Sequence, residues 1–371
     1  MLISFSKQLI LSLAGLLLIL SGGRAGEFEI ISHAAPDWSS QFENTNGWIG
    51  SDAAYSIPLS DSKTLWLFGD TWIGEVSDGK RHHPKMINNS IALQSRHAQP
   101  GFFYRTNSLG EAESFVKPKE GGGFFWPFHG ARTSKGLFIF LHQLKTTESN
   151  SAFGFKVFGE WLAVIDNPGD EIARWRIDQK RFPFTTFSEK ETVTFGAAVL
   201  QDKGFIYIYG NSSPKEKAQS RMILARVGEN KLGDFAQWRF FSNGKWEKNF
   251  HEATAVWSEA VSEASVSFLP ALKKFVAIHS QGIWGKIVLR TADSPAGPWS
   301  EPLLVYQCPE MKISDKIFCY AGKAHPELAT KSNELVVTYA ANSFNFWDVL
   351  NDARLYWPRF IRVELKGTSP R

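Results

Sequence analysis

Three absences narrow the reading. Beyond residue 20 the chain has no apolar run long enough to cross a membrane, which takes roughly 20 residues. It has no basic tract: 41 Lys and Arg against 37 Asp and Glu give a formal charge of only +4, so nucleic acid is not an expected partner. It has only two cysteines, Cys308 and Cys319, and no Cys/His cluster with zinc spacing. A phosphate-binding glycine loop and a serine nucleophile elbow are absent too.

At the N-terminus, Lys7 precedes an apolar stretch from Leu9 to Leu20, and Gly23-Arg24-Ala25 follows with small residues. This is the pattern of an export signal over residues 1–25. The expected mature protein, residues 26–371, is secreted or periplasmic, free of the membrane after cleavage, and monomeric. In an oxidising compartment the two cysteines can close a short disulfide loop; two free thiols are the alternative.

Aromatic residues are abundant, with 14 Trp and 30 Phe, which favours strands. They recur in a pattern. Asp52–Asp70, Trp126–Gln143, Gly196–Asn211, Glu263–Gln281 and His325–Asn342 each read as a strand rich in small residues, a polar turn, and an alternating aromatic and β-branched strand. Their starts are 74, 70, 67 and 62 residues apart. Third strands follow at Ser90, Trp161, Met222, Lys286 and Phe360, and Trp175, Trp238 and Trp299 mark fourth strands. These tryptophans read as packing residues.

Four strands in each of five units predict an all-β, single-domain fold, the five-bladed β-propeller with four-stranded blades. Glu27-Phe-Glu-Ile-Ile-Ser32 is expected to join the last blade and close the ring, removing an exposed edge. The innermost strands of a propeller line its channel, so the five repeat starts, Asp52, Trp126, Gly196, Glu263 and His325, should meet at one mouth. Carboxylates beside aromatic faces suit a sugar ring, with acid and base supplied by the carboxylates. The predicted catalytic set is Asp52, Glu263 and Asp70, with Asp70 ranked lower as a turn residue. The predicted substrate-binding set is Tyr55, Trp72, Trp126, His129, Arg132 and His325; several of these side chains have a plain packing role as the alternative. No cofactor is expected, and a structural calcium ion in the channel is compatible with the fold.

Phe68-Gly-Asp-Thr-Trp72, Glu263-Ala-Ser-Val-Ser267 and Arg290-Thr-Ala-Asp-Ser-Pro-Ala-Gly-Pro-Trp-Ser-Glu-Pro302 resemble the five-bladed propeller glycosidases, which include arabinanases, β-xylosidases and invertase-like enzymes. The segments Ser56–Trp72, Ala324–Asn342 and Tyr356–Val363 are similar to secreted bacterial propellers of the domain of unknown function 4185. The glycosidase resemblance implies Asp52 as general base and Glu263 as general acid. It also implies a third carboxylate in the middle blade, where this chain has Phe195-Gly196-Ala197. Two functions are therefore expected to compete: a glycoside hydrolase acting on a poly- or oligosaccharide, and a non-catalytic propeller that binds glycan or protein.

Overall fold

The computed structural model describes residues 21–25, 28–96, 98–147, 154–214 and 219–367. Residues 1–20 of the expected leader lie outside the described residues, and Ser21–Ala25 runs antiparallel to Phe28–Ala34. The fold is nearly all-β. Its α-helices among the described residues are the short Pro36–Ser39 and Phe346–Asn351. No described helix is long and apolar enough to cross a membrane.

Five antiparallel sheets of four or more strands follow one another along the chain. The first comprises Tyr55–Ser60, Lys63–Phe68, Ser90–Ser95 and Gly101–Phe103. The second comprises Phe124–Thr133, Gly136–Thr146, Phe155–Ile165 and Ile177–Arg181. The third is built on Glu191–Asp202, Phe205–Pro214, Arg221–Gly228 and Arg239–Ser242, with short strands at its edges. The fourth comprises Ala264–Leu269, Lys274–Gln281, Lys286–Ala292 and Leu303–Gln307. The fifth orders Ile317–Ala324, Glu334–Ser343, Arg359–Gly367, Phe28–Ala34 and Ser21–Ala25.

The leading strands are neighbours in space. Phe124–Thr133 packs between Tyr55–Ser60 and Glu191–Asp202; Ala264–Leu269 packs between Glu191–Asp202 and Ile317–Ala324. Hydrogen bonds from Tyr320, Lys323 and His325 return to Asp52, Ala53 and Ser56. Phe28–Ala34 pairs with Arg359–Gly367 over seven residues, from Phe28↔Gly367 to Ala34↔Ile361.

Packing between sheets is apolar, as strand alternation requires. One core joins the first three sheets through Ile57, Leu67, Phe125, Phe140, Leu162, Trp238 and Phe240. Trp175 and Trp238 lie in it, and each satisfies its indole N–H with a backbone carbonyl, Asp170 O and Leu232 O, both at 3.1 Å. Burying a ring of this size contributes on the order of 2–3 kcal/mol. Trp299 packs at the edge of the core between the third and fourth sheets. Cys308 and Cys319 are free, buried thiols.

Two expectations need correction. The leading strand of the fifth sheet is Ile317–Ala324, which ends before His325 instead of starting there. The first hairpin also continues past its expected end at Asp70: Asn46–Ser51, Thr71–Ser77 and Lys80–Ile87 form a separate three-stranded sheet.

Candidate active site

The two legs of the first hairpin are longer than one sheet. Pairing runs from Ser60↔Lys63 to Tyr55↔Leu67, stops, and resumes at Ser51↔Thr71. Asp52 and Asp70 occupy the two sides of the interruption. Ala53 and Ala54 there adopt left-handed φ of 64° and 54°, with Ala54 N–H bonding Asp52 O at 2.9 Å. Opposite, the Ser51 hydroxyl donates to Asp70 O at 2.8 Å and the Thr71 hydroxyl to Gly69 O at 2.8 Å. Gly69 leaves room for the Asp52 carboxyl, because a methyl group there would overlap Asp52 Oδ1 and push it aside. The break turns both carboxylates out of the ribbon and into a cavity.

That cavity has a volume of about 900 Å³. Asp52, Asp70 and Glu263 line it together with Tyr320 and Tyr356, and Trp72, Trp126, Phe318 and Phe344 are among its aromatic walls. The Tyr320 phenol donates to Asp52 Oδ2 at 2.6 Å. Asn342 Nδ2 in turn approaches the Tyr320 oxygen at 3.4 Å. Burial, then the charges of Asp70 and Glu263, push the Asp52 carboxyl up to about 8, against the opposing pull of Tyr320 and Lys323. Asp70 Oδ1 accepts from Trp126 Nε1 at 2.8 Å and from Asn88 Nδ2 at 3.2 Å. Burial raises Asp70 to about 6, and these two donors restrain the rise.

Glu263 stands immediately before Ala264–Leu269, and its Oε2 lies 2.7 Å from Lys323 Nζ. Lys323 is buried; burial lowers its ammonium from the usual lysine value while Glu263 and Asp52 hold it up. Three carboxylates, one ammonium and two phenols thus meet at one end of the leading strands. Among the described residues, no group of three or more His, Cys, Asp or Glu side chains is placed to hold a metal ion.

A family model matches residues 36–365. The chain belongs to that family, Domain of unknown function (DUF5005). The match does not confirm the resemblance of the sequence motifs to domain of unknown function 4185. No curated protein matches the chain. Among solved structures, this DUF5005 chain is similar to a "putative hydrolase" from Bacteroides ovatus ATCC 8483, with a TM-score of 0.73 and 20% identity over 93% of each chain. A thermostable family-43 glycoside hydrolase follows at a TM-score of 0.48 and 11% identity, covering 89% of this chain and 96% of that one. A GH43_1 enzyme from Xanthomonas citri complexed with xylotriose has a TM-score of 0.47 and 14% identity, covering 87% and 88%.

Of the residues singled out from sequence, the DUF5005 cavity gathers Asp52, Asp70, Glu263, Trp72 and Trp126. Tyr55, His129, Arg132 and His325 do not line it. Tyr55 is 1% exposed and gives its hydroxyl to Ala197 O at 2.9 Å. The His129 ring lies 5.3 Å from that of Tyr55; its Nδ1 accepts from Val199 N at 2.8 Å and its Nε2 faces Ser56 O at 3.3 Å. That imidazole ties the first three leading strands together, and burial lowers its pKa to about 4. Arg132 lies at the far end of Phe124–Thr133 and donates to Thr133 O. His325, just past the far end of Ile317–Ala324, is fully buried between the Ser56 hydroxyl at 2.6 Å and the Thr338 hydroxyl at 2.7 Å. Gly196 packs on Phe140 with φ of 91° and contributes nothing to the cavity, which its neighbours Thr192 and Thr194 line.

Tyr320, Lys323 and Asn342 were not singled out from sequence. The available signal was Lys323 itself, a lone cation within the otherwise uncharged strand Ile317–Ala324. His142 was missed as well. It lines the cavity, stacks on Phe128 at 3.8 Å, and sits 3.8 Å from the buried Glu160 carboxyl.

Proposed function

We propose that the five sheets are the blades of a five-bladed β-propeller, closed where Phe28–Ala34 joins the fifth, and that the cavity is a glycoside hydrolase site. One observation carries the reading: Asp52, Asp70 and Glu263 share a cavity of about 900 Å³ whose lining includes the rings of Trp72, Trp126, Phe318 and Phe344. Glycosidic hydrolysis asks for a carboxylic acid that still holds its proton and a carboxylate that does not. Aromatic faces bind the apolar faces of sugar rings.

The roles run opposite to those implied by family resemblance. Asp52, raised to about 8, carries a proton at neutral pH and serves as the general acid towards the leaving oxygen. Glu263, facing the Lys323 ammonium at 2.7 Å, works as the anion that activates water. Asp70, held by Trp126 and Asn88, takes the place of the carboxylate that Phe195-Gly196-Ala197 does not provide, and its charge helps keep the proton on Asp52. The substrate is a poly- or oligosaccharide, met outside the cytoplasm after export.

The test is a panel of polysaccharides and oligosaccharides assayed for new reducing ends, with wild type, Asp52→Asn and Glu263→Gln. Wild type should release reducing sugar from at least one glycan, and each variant should lose about 100-fold or more in kcat. Glycan binding by calorimetry without turnover in wild type would instead select a non-catalytic glycan-binding propeller.

A further inference from the structure

The strand Ile317–Ala324 places an ammonium where its neighbours are apolar. Lys323 is only 1% exposed. A lysine ammonium has three N–H groups to give. Here two are given to backbone carbonyls, Ala321 O at 2.7 Å and Ala53 O, while Glu263 Oε2 faces the ammonium as an ion pair at 2.7 Å. The Tyr55 ring lies under the same nitrogen, 4.6 Å from its centroid.

Two of those acceptors share an unusual backbone. Ala53 has φ of 64° and Ala321 has φ of 61°. A residue with a Cβ enters this region at a cost and stays only where its surroundings enforce it. The ammonium bonds both carbonyls. The two alanines also matter by position: Ala53 follows Asp52, and Ala321 follows Tyr320, the phenol that donates to Asp52 Oδ2 at 2.6 Å. At Ala321 the pairing between Ile317–Ala324 and Glu334–Ser343 is interrupted, between Tyr320 and Lys323. The backbone there has no regular ladder to set its path.

We propose that Lys323 is the positioning residue of this site, clamping the Ala53 and Ala321 turns and the Glu263 carboxylate so that Asp52, Tyr320 and Glu263 hold one geometry. This rests on the glycosidase reading above. Lys323 does not line the cavity, so it acts through its three partners and not on substrate. An ordinary buried ion pair would need only Glu263; the two strained carbonyls distinguish this one. A planar guanidinium fans its donors in one plane and does not reproduce the tetrahedral set.

The experiment uses Lys323→Ala and Lys323→Arg in the whole protein, with ethylammonium chloride as the probe. On a glycan that wild type hydrolyses, Lys323→Ala should lose about 100-fold in kcat, the penalty for misplacing groups by an ångström, with KM within about threefold of wild type. Ethylammonium should restore part of that kcat, and sodium chloride at equal ionic strength should not. Lys323→Arg should fold and still fall about tenfold or more in kcat. A second arm needs no turnover: ethylammonium should raise the Tm of Lys323→Ala and leave that of wild type unchanged. If Lys323→Ala does not fold, refolding only in the presence of the amine supports the clamp, and refolding in neither salt passes the decision to the kcat of Lys323→Arg. Wild-type kcat in either variant, or a Tm of Lys323→Ala that ignores the amine, overturns the proposal. A wild type that cleaves no glycan overturns the glycosidase reading, and the Tm arm then decides the clamp alone.

Discussion

The phenol of Tyr320 and the carboxyl of Asp52, 268 residues apart in the chain, are joined by a hydrogen bond of 2.6 Å. The bond favours the ionised form of Asp52 and so restrains its pKa. Tyr320→Phe should raise that pKa further above about 8. With Asp52 as the acid, the alkaline limb of kcat/KM should move up by about one to two pH units, the equivalent of one charge-assisted hydrogen bond. A limb that moves down, measured on any cleaved glycan, would place the proton elsewhere.

Asp52 also links stability to pH. Its pKa is raised on folding from 3.8 to about 8, so its contribution is full below the unfolded value and is lost as pH rises through the folded one. Asp52→Asn removes that dependence. The variant should gain on wild type steadily from about pH 4 to pH 8 and exceed it above, by on the order of 2 kcal/mol once water in the cavity is allowed for. Urea unfolding of both proteins at several pH values reads this directly.

Gly69→Ala tests how Asp52 is seated. The new methyl would displace Asp52 Oδ1, while the ordinary φ at Gly69 lets alanine keep the backbone. We expect kcat to fall about 100-fold with little change in Tm. A fully active Gly69→Ala would mean that the carboxyl need not lie where it does.

Glu263 and Lys323 should be strongly coupled. Removing either strands the other in a buried setting, at about 3 kcal/mol for each of Glu263→Gln and Lys323→Met. The double variant should be more stable than the sum of the singles by about 1–3 kcal/mol in denaturant melts. Simple additivity would show that the 2.7 Å contact carries no energy of its own.

His129 should act on the acid side. Its folded pKa, lowered to about 4, lies below the unfolded 6.5, so its contribution is present above 6.5 and is lost as pH falls towards 4. His129→Leu should cost about 1–3 kcal/mol at neutral pH, from the orphaned Val199 N–H, and should flatten the acid decline of stability.

Much of this architecture is legible in the chain. Alternating aromatic and β-branched residues mark the outer strand of each hairpin, and residues just before a leading strand, Asp52 and Glu263, are found by position alone. The fifth unit is misread because Ile317–Ala324 carries Gly322 and Lys323 and breaks the strand pattern, while the regular Glu334–Ser343 behind it does not. The sequence pattern therefore places the start of the fifth unit at His325, after its leading strand, and leaves Tyr320 and Lys323 outside it. Asp70 reads as a turn residue because Gly69-Asp70-Thr71 has the pattern of a hairpin end. What decides its role is the tertiary donor pair of Trp126 and Asn88, which no local pattern encodes.

The seam between Phe28–Ala34 and Arg359–Gly367 places Phe28 directly across from Gly367. The ends of these two strands are therefore close enough for a short linker to join them. A permuted chain that bridges Gly367 to Phe28 and opens at the exposed Asn243-Gly244 turn would lose only two strand-to-strand connections, that turn and the one from Ser21–Ala25 to Phe28–Ala34. It should fold to the same body and retain the Asp52, Asp70 and Glu263 cavity, because none of the residues that line that cavity lies at either cut.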